Sequence, residues 1–94
     1  MKTSVHFYQF RNNDVINDNF TSSGIVALWD YLEEYEDSIG QEIEFDPVAL
    51  RMEFTDYGSL EEVIGDYPEI TSLEDLQYNT LAIEHEEGIL IQNF

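Results

Sequence analysis

The sequence has no cysteine, only three basic residues and no long hydrophobic run. Without cysteine, neither a disulfide framework nor a thiolate metal site can form, and this is typical of proteins from a reducing compartment. No stretch approaches the roughly 20 apolar residues that span a bilayer, and the N-terminus lacks the apolar run of a signal peptide. We therefore expect a cytoplasmic protein that does not bind membranes.

The scarcity of basic residues leaves the chain strongly acidic. Against 21 Asp and Glu stand only Lys2, Arg11 and Arg51, so the formal net charge is −18. This charge repels nucleic acid and anionic membranes and attracts basic surfaces. The chain is nevertheless 43% hydrophobic and 14% aromatic, unlike a disordered acidic tail. With no Gly/Ser linker or low-complexity run, residues 1–94 are expected to form a single domain.

The clearest element is a long amphipathic helix. Apolar residues recur at spacings of 3, 4, 3 and 4, namely Ile25, Leu28, Leu32, Tyr35 and Ile39. The preceding Thr-Ser-Ser supplies N-cap candidates and Gly40 marks the end. The pattern predicts a helix from about Ser23 to Ile39.

Shorter elements are expected on either side of this helix. Residues 7–17 are predicted to form a short helix, Glu42–Asp46 a short extended piece, and Asp46-Pro47 a turn or a helical start. Alternation of Leu50, Met52 and Phe54 with polar residues predicts a strand to about Tyr57. Capping serines followed by acids predict helices near Leu60–Tyr67 and Leu73–Asn79.

The C-terminal region is predicted to be a β-hairpin. A three-residue loop, Glu86-Glu87-Gly88, would pair His85 with Ile89 and Ile83 with Ile91. With the strand that ends near Tyr57, this gives a three-stranded antiparallel sheet covered by the long helix, an α+β fold. The residues expected to be mostly buried are Leu28, Trp29, Leu32, Leu50, Met52, Phe54, Ile83 and Ile91.

No pattern in the chain indicates catalysis, a metal site or a cofactor. His6 and His85 are far apart in sequence, and a zinc site needs three or four converging ligands. The acids around Gly40 do not match an EF-hand loop. The chain has no phosphate-binding glycine loop and no recognisable nucleophile motif. We therefore expect a protein that is not an enzyme and has no catalytic, metal-binding or cofactor-binding residues.

The segment from Trp29 to Asp46 carries eight carboxylates and no basic residue. Acids in first helical turns stabilise a helix, but acids in the middle and towards the C-terminal end do not. We therefore predict a partner-binding surface here, with a helical row of Asp30, Glu33, Glu34 and Asp37. Its expected extension is Glu36, Glu42, Glu44 and Asp46, and Tyr31 or Tyr35 is a candidate for the centre of the contact.

The amount of charge suits a nucleic-acid mimic. A compact chain of this length has a diameter of roughly 30 Å, and a net charge of −18 corresponds to roughly 31 Å of duplex DNA. Carboxylates spaced by three and four residues on a helix stand about 4.5–6 Å apart along its axis. A salt-adapted surface is the alternative explanation for the charge as a whole, although the 13 aromatic residues count somewhat against it.

The segment from Leu28 to Tyr57 resembles a pattern in uncharacterised phage proteins. It reads L-W-D-Y-L-E-E-Y-E-D-S-I-G-Q-E-I-E-F-D and runs on to A-L-R-M-E-F-T-D-Y, about a third of the chain. The whole chain is similar to the small, very acidic proteins of phages and other mobile elements, several of which block host defence. The resemblance implies a mobile-element origin, the host cytoplasm and an inhibitory role, and it carries over no functional residue.

Charge and resemblance together give the expected function. We expect an inhibitor that mimics the charge of DNA and binds the nucleic-acid-binding surface of a host defence complex, of the anti-CRISPR or anti-restriction type. The alternative is an interaction module or antitoxin-like partner that neutralises a basic protein without mimicry. Either protein would bind a basic protein and not nucleic acid itself, and a homodimer could extend the acidic surface.

Overall fold

The computed structural model describes Met1 and residues 5–94, which contain six α-helices and three β-strands. In chain order these are α1 Phe7–Arg11, α2 Asp14–Asn19, α3 Ser22–Ile39, α4 Pro47–Glu53, β1 Phe54–Tyr57, α5 Leu60–Asp66, α6 Leu73–Asn79, β2 Ala82–His85 and β3 Gly88–Gln92. The chain measures 40 × 27 × 21 Å along its principal axes. Among the helices of the described residues, none combines the length and the hydrophobicity that a membrane-spanning segment requires.

The helix boundaries follow the capping residues closely. The Thr21 side chain accepts a hydrogen bond from the Gly24 N–H at the start of α3, and Gly40 ends this helix with a left-handed φ of 72°. Ser59 and Ser72 cap α5 and α6 by accepting hydrogen bonds from the N–H groups three residues on. The predicted long helix and both short helices are therefore confirmed.

The sheet is antiparallel, with the strands in the order β1-β3-β2. The α+β class and the C-terminal hairpin are confirmed, but the predicted hairpin register is wrong by one residue. His85 pairs with Gly88 and Ile83 with Leu90, across a two-residue loop. Gly88 is therefore part of β3 and not the left-handed residue of a longer loop.

Glycine is required at position 88 because of close packing, and not because of its backbone conformation in the turn. A Cβ atom at this position would overlap the carbonyl oxygen of Tyr57 and lie 3.1 Å from the Cα of Gly58. β1 and β3 thus approach so closely at this end of the sheet that only glycine fits. This close approach fixes Gly88 inside the ladder.

The predicted strand from Leu50 to Tyr57 is half wrong, because its first part is helical. Asp46 accepts a hydrogen bond from the Ala49 N–H at 3.1 Å, and Pro47 occupies the first helical turn of α4. The helix turns Met52 outward, where its side chain is 71% exposed and not buried as expected. Only Phe54–Tyr57 is extended.

Two other expected elements also differ. The single helix expected at residues 7–17 is two short helices, because Asn13 interrupts it and caps α2 through the N–H groups of Val15 and Ile16. Residues 42–46 form a connecting segment without a strand partner in the described part of the chain. The segment leads from the end of α3 to the cap of α4.

Two hydrophobic clusters hold the fold together, and β3 contributes to both. Leu90 is fully buried against α3 in the larger cluster, where Leu28, Leu32, Leu50 and Phe54 also lie, as expected. Ile89 and Ile91 enter the smaller cluster with the helices α5 and α6. The other expected core residues, Trp29 and Ile83, are half-buried against the larger cluster.

Candidate functional site

The predicted helical row of carboxylates lies on the outward face of α3. We call it the acidic row; all four side chains, Asp30, Glu33, Glu34 and Asp37, are exposed. Its ends are seven residues apart, or about 10.5 Å along the helix axis. The opposite face of α3 is buried through Leu28 and Leu32. The helix therefore separates its core residues from a continuous line of negative charge.

The predicted extension of this row is only partly on the surface. Glu42, Glu44 and Asp46 are exposed in the segment that follows α3. Glu36, in contrast, is 8% exposed and is the buried charged residue of the described core. The assignment of Glu36 to the contact surface is therefore wrong.

Glu36 has a structural role that its burial makes possible. Its carboxylate contacts the ammonium group of Met1 at 3.3 Å and accepts a hydrogen bond from the Ile43 N–H at 2.8 Å. These contacts fasten the segment after α3 to the helix. The spacing gave a signal that was missed, because Glu36 lies one turn beyond Leu32 and two turns beyond Leu28 on the apolar face.

The two candidate tyrosines lie beside the acidic row on the flank of α3. Tyr31 is half-buried, with its ring edge-on to Phe54 at a centroid distance of 5.9 Å. Tyr35 stacks on Tyr31 at 6.3 Å and is 44% exposed. The pair extends an aromatic surface from the core to solvent, next to the carboxylates.

A groove of about 810 Å³ runs between α3 and the hairpin, and we call it the edge groove. Its floor is apolar and is formed by Val26, Ala27, Tyr31, Leu81 and Ile83. Its rim carries five carboxylates, from Asp30, Glu34, Glu84, Glu86 and Glu87, and its remaining lining residues are Ser22, Ser23 and His85. The volume is within the range of ligand-binding pockets. The edge groove thus combines apolar surface with negative charge only.

At one end of the edge groove, three side chains from distant parts of the sequence form a hydrogen-bonded chain. The Oγ of Ser23 lies 2.7 Å from Nδ1 of His85, and Nε2 of His85 lies 2.6 Å from Oδ1 of Asp56. The side chains of His85 and Asp56 are only 6% and 2% exposed. We call this chain the Ser-His-Asp clamp.

The clamp attaches the first turn of α3 to the sheet. Oδ2 of Asp56 accepts hydrogen bonds of 2.7 Å from both the N–H and the hydroxyl of Thr21, the N-cap residue. The carboxylate of Glu87 accepts a 2.7 Å bond from the Ser23 N–H, and the Glu87 N–H donates to the Ser23 Oγ. Two carboxylates therefore face the positive end of the α3 dipole.

The same bonds lower the pKa of the exposed Glu87 carboxyl below its ordinary value of 4.5. The first cause is the hydrogen bond from the backbone N–H of Ser23, followed by the Ser23 side chain and the nearby His85 ring. Partial desolvation opposes these effects but is smaller than the backbone contribution. The shift favours the carboxylate form of Glu87 at the start of α3.

The clamp contains the residue types of a Ser-His-Asp catalytic triad in the same order, but its surroundings are those of a helix cap. A serine nucleophile needs free N–H donors for the developing oxyanion. Here the N–H of Ser23 is bound to Glu87, and that of Gly24 to Thr21. The Glu87 carboxylate would also repel an oxyanion at this place. The geometry therefore fits a structural connection between helix and sheet.

Sequence reasoning missed the clamp because its parts are far apart in the chain. His85 is 29 residues from Asp56 and 62 residues from Ser23. No local pattern brings these residue types together. Among the residues that the structure describes, no group of three or more His, Asp or Glu side chains is placed to hold a metal ion.

Comparison of the chain with family models, with curated proteins and with solved structures gives no match.

Proposed function

We propose that this protein is a non-enzymatic inhibitor that occupies the nucleic-acid-binding surface of a basic protein, of the kind found in host defence complexes. The observation that supports this function most is the exposed acidic row on α3 in a chain of net charge −18. Such a surface attracts a basic partner over a Debye length or more and accelerates association.

The density of charge supports mimicry of a nucleic acid. The net charge of −18 is spread over a longest dimension of 40 Å, or about one charge per 2.2 Å. Duplex DNA carries one charge per about 1.7 Å of its axis. A protein surface that binds the phosphate backbone would therefore encounter a comparable density of negative charge on this chain.

Competition with duplex DNA tests the proposal. The protein is immobilised, proteins of a bacterial lysate are bound at low salt, and the captured proteins are eluted with duplex DNA and identified by mass spectrometry. We expect DNA to displace nucleic-acid-binding proteins, and we expect their capture to fall steeply as salt rises. Captured proteins that excess duplex does not displace would contradict mimicry.

A pair of matched variants tests whether the acidic row is the contact. Glu33→Lys/Asp37→Lys reverses two charges in the row, whereas Asp18→Lys/Glu69→Lys reverses two exposed charges elsewhere and gives the same net charge. We expect the first variant to lose capture at low salt and the second to keep most of it. Equal losses would show that only the total charge matters and that the row is not the contact.

One observation favours a second function, an interaction module or antitoxin-like partner that binds a basic protein without mimicry. The edge groove has an apolar floor beneath its acidic rim, and a phosphate row offers no such surface. In that case the captured protein would resist duplex DNA. Val26→Ser, at a side chain that is 46% exposed in the groove floor, would then weaken capture.

A further inference from the structure

β2 is an edge strand, and its outer side borders the edge groove. The strand order β1-β3-β2 pairs β2 with β3 on one side only. The groove is lined by the consecutive residues 83–87. Since side chains of neighbouring strand residues point to opposite faces of a sheet, a groove lined by all of them lies along the edge of the strand and not over one face.

The hydrogen-bonding pattern shows which backbone groups of β2 point outward. The Gln92 N–H donates to the Leu81 carbonyl at 3.0 Å, so this pair shares ladder hydrogen bonds. Antiparallel pairs alternate between bonded and non-bonded, which makes Ala82 and Glu84 the residues whose N–H and C=O point away from β3. The Gln77 side chain confirms this direction by donating to the Ala82 carbonyl at 3.3 Å.

Glu84 therefore presents an outward N–H and C=O at the open part of the edge. In the part of the chain that the structure describes, no hydrogen bond from another element reaches these two groups. An unpaired strand edge is a template for another strand. The Gln77 contact covers the edge at Ala82 and leaves it open at Glu84.

The residues around this edge determine which side chains an added strand would carry on each of its faces. On the α3 side, Val26 and Tyr31 present apolar surface to the groove, next to the carboxylates of Asp30 and Glu34. The Glu84 side chain points to the other face of the sheet, because Ile83 and His85 face α3. A second copy of this chain is a poor occupant, since each copy carries a net charge of −18.

We propose that an extended basic segment of a partner protein pairs with β2 as a fourth strand, with apolar and basic residues in alternation. Its apolar side chains lie against Val26 and Tyr31 under α3, and its Lys or Arg side chains lie beside Glu84 on the opposite face. Main-chain hydrogen bonds to Glu84 supply affinity, and the alternation supplies specificity. This inference rests on the proposed function only for the positive charge of the partner.

Two peptides of equal composition test the alternation. The probe is the capped peptide Arg-Val-Arg-Val-Arg-Val-Arg, and the control has the four arginines grouped before the three valines. We expect the alternating peptide to bind at least about fivefold more tightly, because only it can present one face of each kind. Equal affinities, or no binding of either peptide at low salt, would overturn the proposal.

Amide hydrogen exchange distinguishes strand pairing from charge attraction. Saturation with the alternating peptide should slow exchange of the Glu84 amide by about tenfold or more, since its outward N–H becomes hydrogen-bonded. The grouped peptide, even where it binds, should not change this amide. Binding of the alternating peptide without protection at Glu84 would refute the pairing. This measurement uses the unaltered chain and needs no variant.

A matched pair of substitutions at one position gives a second measure. Glu84→Pro removes the outward N–H and blocks the edge without removing a ladder hydrogen bond, as proline does on edge strands. Glu84→Gln removes the same charge but keeps the N–H. We expect the proline variant to bind the alternating peptide about tenfold more weakly than the glutamine variant. Equal binding by the two folded variants contradicts strand addition.

The acidic-row variant separates this inference from the proposed function. Glu33→Lys/Asp37→Lys leaves every residue that lines the edge groove unchanged. We expect this variant to keep the Glu84 protection by the alternating peptide, even where it no longer captures nucleic-acid-binding proteins. Retained DNA-displaceable capture by this variant would count against the acidic row alone, and loss of Glu84 protection would count against the fourth strand alone.

Discussion

Gly24 lies in the first turn of α3, where an alanine would ordinarily be favourable. Replacing a helical glycine by alanine stabilises a helix by about 0.5–1 kcal/mol. At Gly24, however, the new Cβ would overlap Oδ2 of Asp56 and lie 2.7 Å from its Cγ. We therefore expect Gly24→Ala to destabilise the protein.

The expected loss follows from the bonds that end on the overlapped atom. Oδ2 of Asp56 accepts both hydrogen bonds from Thr21. Hydrogen bonds to a charged group are worth about 1.5–3 kcal/mol each, so breaking both costs about 3–6 kcal/mol. After about 1 kcal/mol of helix propensity is subtracted, the free energy of unfolding should fall by about 2–5 kcal/mol. The Asp56 side chain is 2% exposed, which leaves little room for it to move.

Urea unfolding followed by circular dichroism measures this loss, and Gly65→Ala is the matched control. Gly65 lies in α5 with no atom within 4 Å of an added Cβ, so its replacement should stabilise the protein by about 0.5–1 kcal/mol. In an Asp56→Ala background, Gly24→Ala should cost much less, because only the 3.0 Å approach of the added Cβ to Oγ1 of Thr21 remains. A rise in stability for Gly24→Ala alone would refute the close packing of Asp56 against α3.

Three further predictions concern single side chains. Glu36→Ala should lower the free energy of unfolding by about 1.5–3 kcal/mol, since the Ile43 N–H and the Met1 ammonium lose a charged partner, whereas Glu33→Ala should be neutral or slightly stabilising in the same urea assay. The pKa of the Tyr57 phenol is raised well above its ordinary 10.0 by burial and by its 2.7 Å hydrogen bond to Asp66. The neutral phenol therefore stabilises the fold fully below pH 10, and this contribution is lost as pH rises towards the raised pKa. The difference in absorbance between the wild type and Tyr57→Phe should show a phenol that ionises at a higher pH than a free tyrosine. The lowered pKa of Glu87 predicts the opposite pH dependence: the Glu87 carboxylate stabilises the fold above pH 4.5, and this contribution is lost as pH falls below that value. Glu87→Gln should therefore make the melting temperature less dependent on pH in the acid range. An unchanged dependence would contradict the hydrogen bond from Ser23.

Elements marked by local chemistry could be predicted from the sequence. The capping residues Thr21, Ser59 and Ser72 and the helix stop at Gly40 all act within one turn of themselves, and the structure places them as expected. The alternation at Leu50, Met52 and Phe54 was misleading because a short helix followed by a strand produces the same pattern. The competing signal, Asp46-Pro47 as a cap and first helical turn, was the stronger one.

Features that depend on contacts between distant segments could not be predicted. The hairpin register is fixed by the approach of Tyr57 to Gly88, across 31 residues of sequence. The candidate site also has one part that local sequence determines and one part that it does not. The exposure of the acidic row followed from helical periodicity, whereas the edge groove needs α3 and β2 to be placed side by side. Glu36 was misassigned because its charge was given more weight than its position on the apolar face.

The central position of β3 also has a consequence for how the chain folds during synthesis. β3 follows every other element in the sequence, yet Leu90 completes the larger cluster and Ile89 and Ile91 complete the smaller one. While the chain leaves the ribosome, neither cluster can close until this strand has emerged. Until then, the apolar face of the amphipathic α3 stays exposed to solvent. The many carboxylates of α3 keep nascent chains apart during this time by electrostatic repulsion. The negative charge that weakens the finished fold thus protects the unfinished one from aggregation.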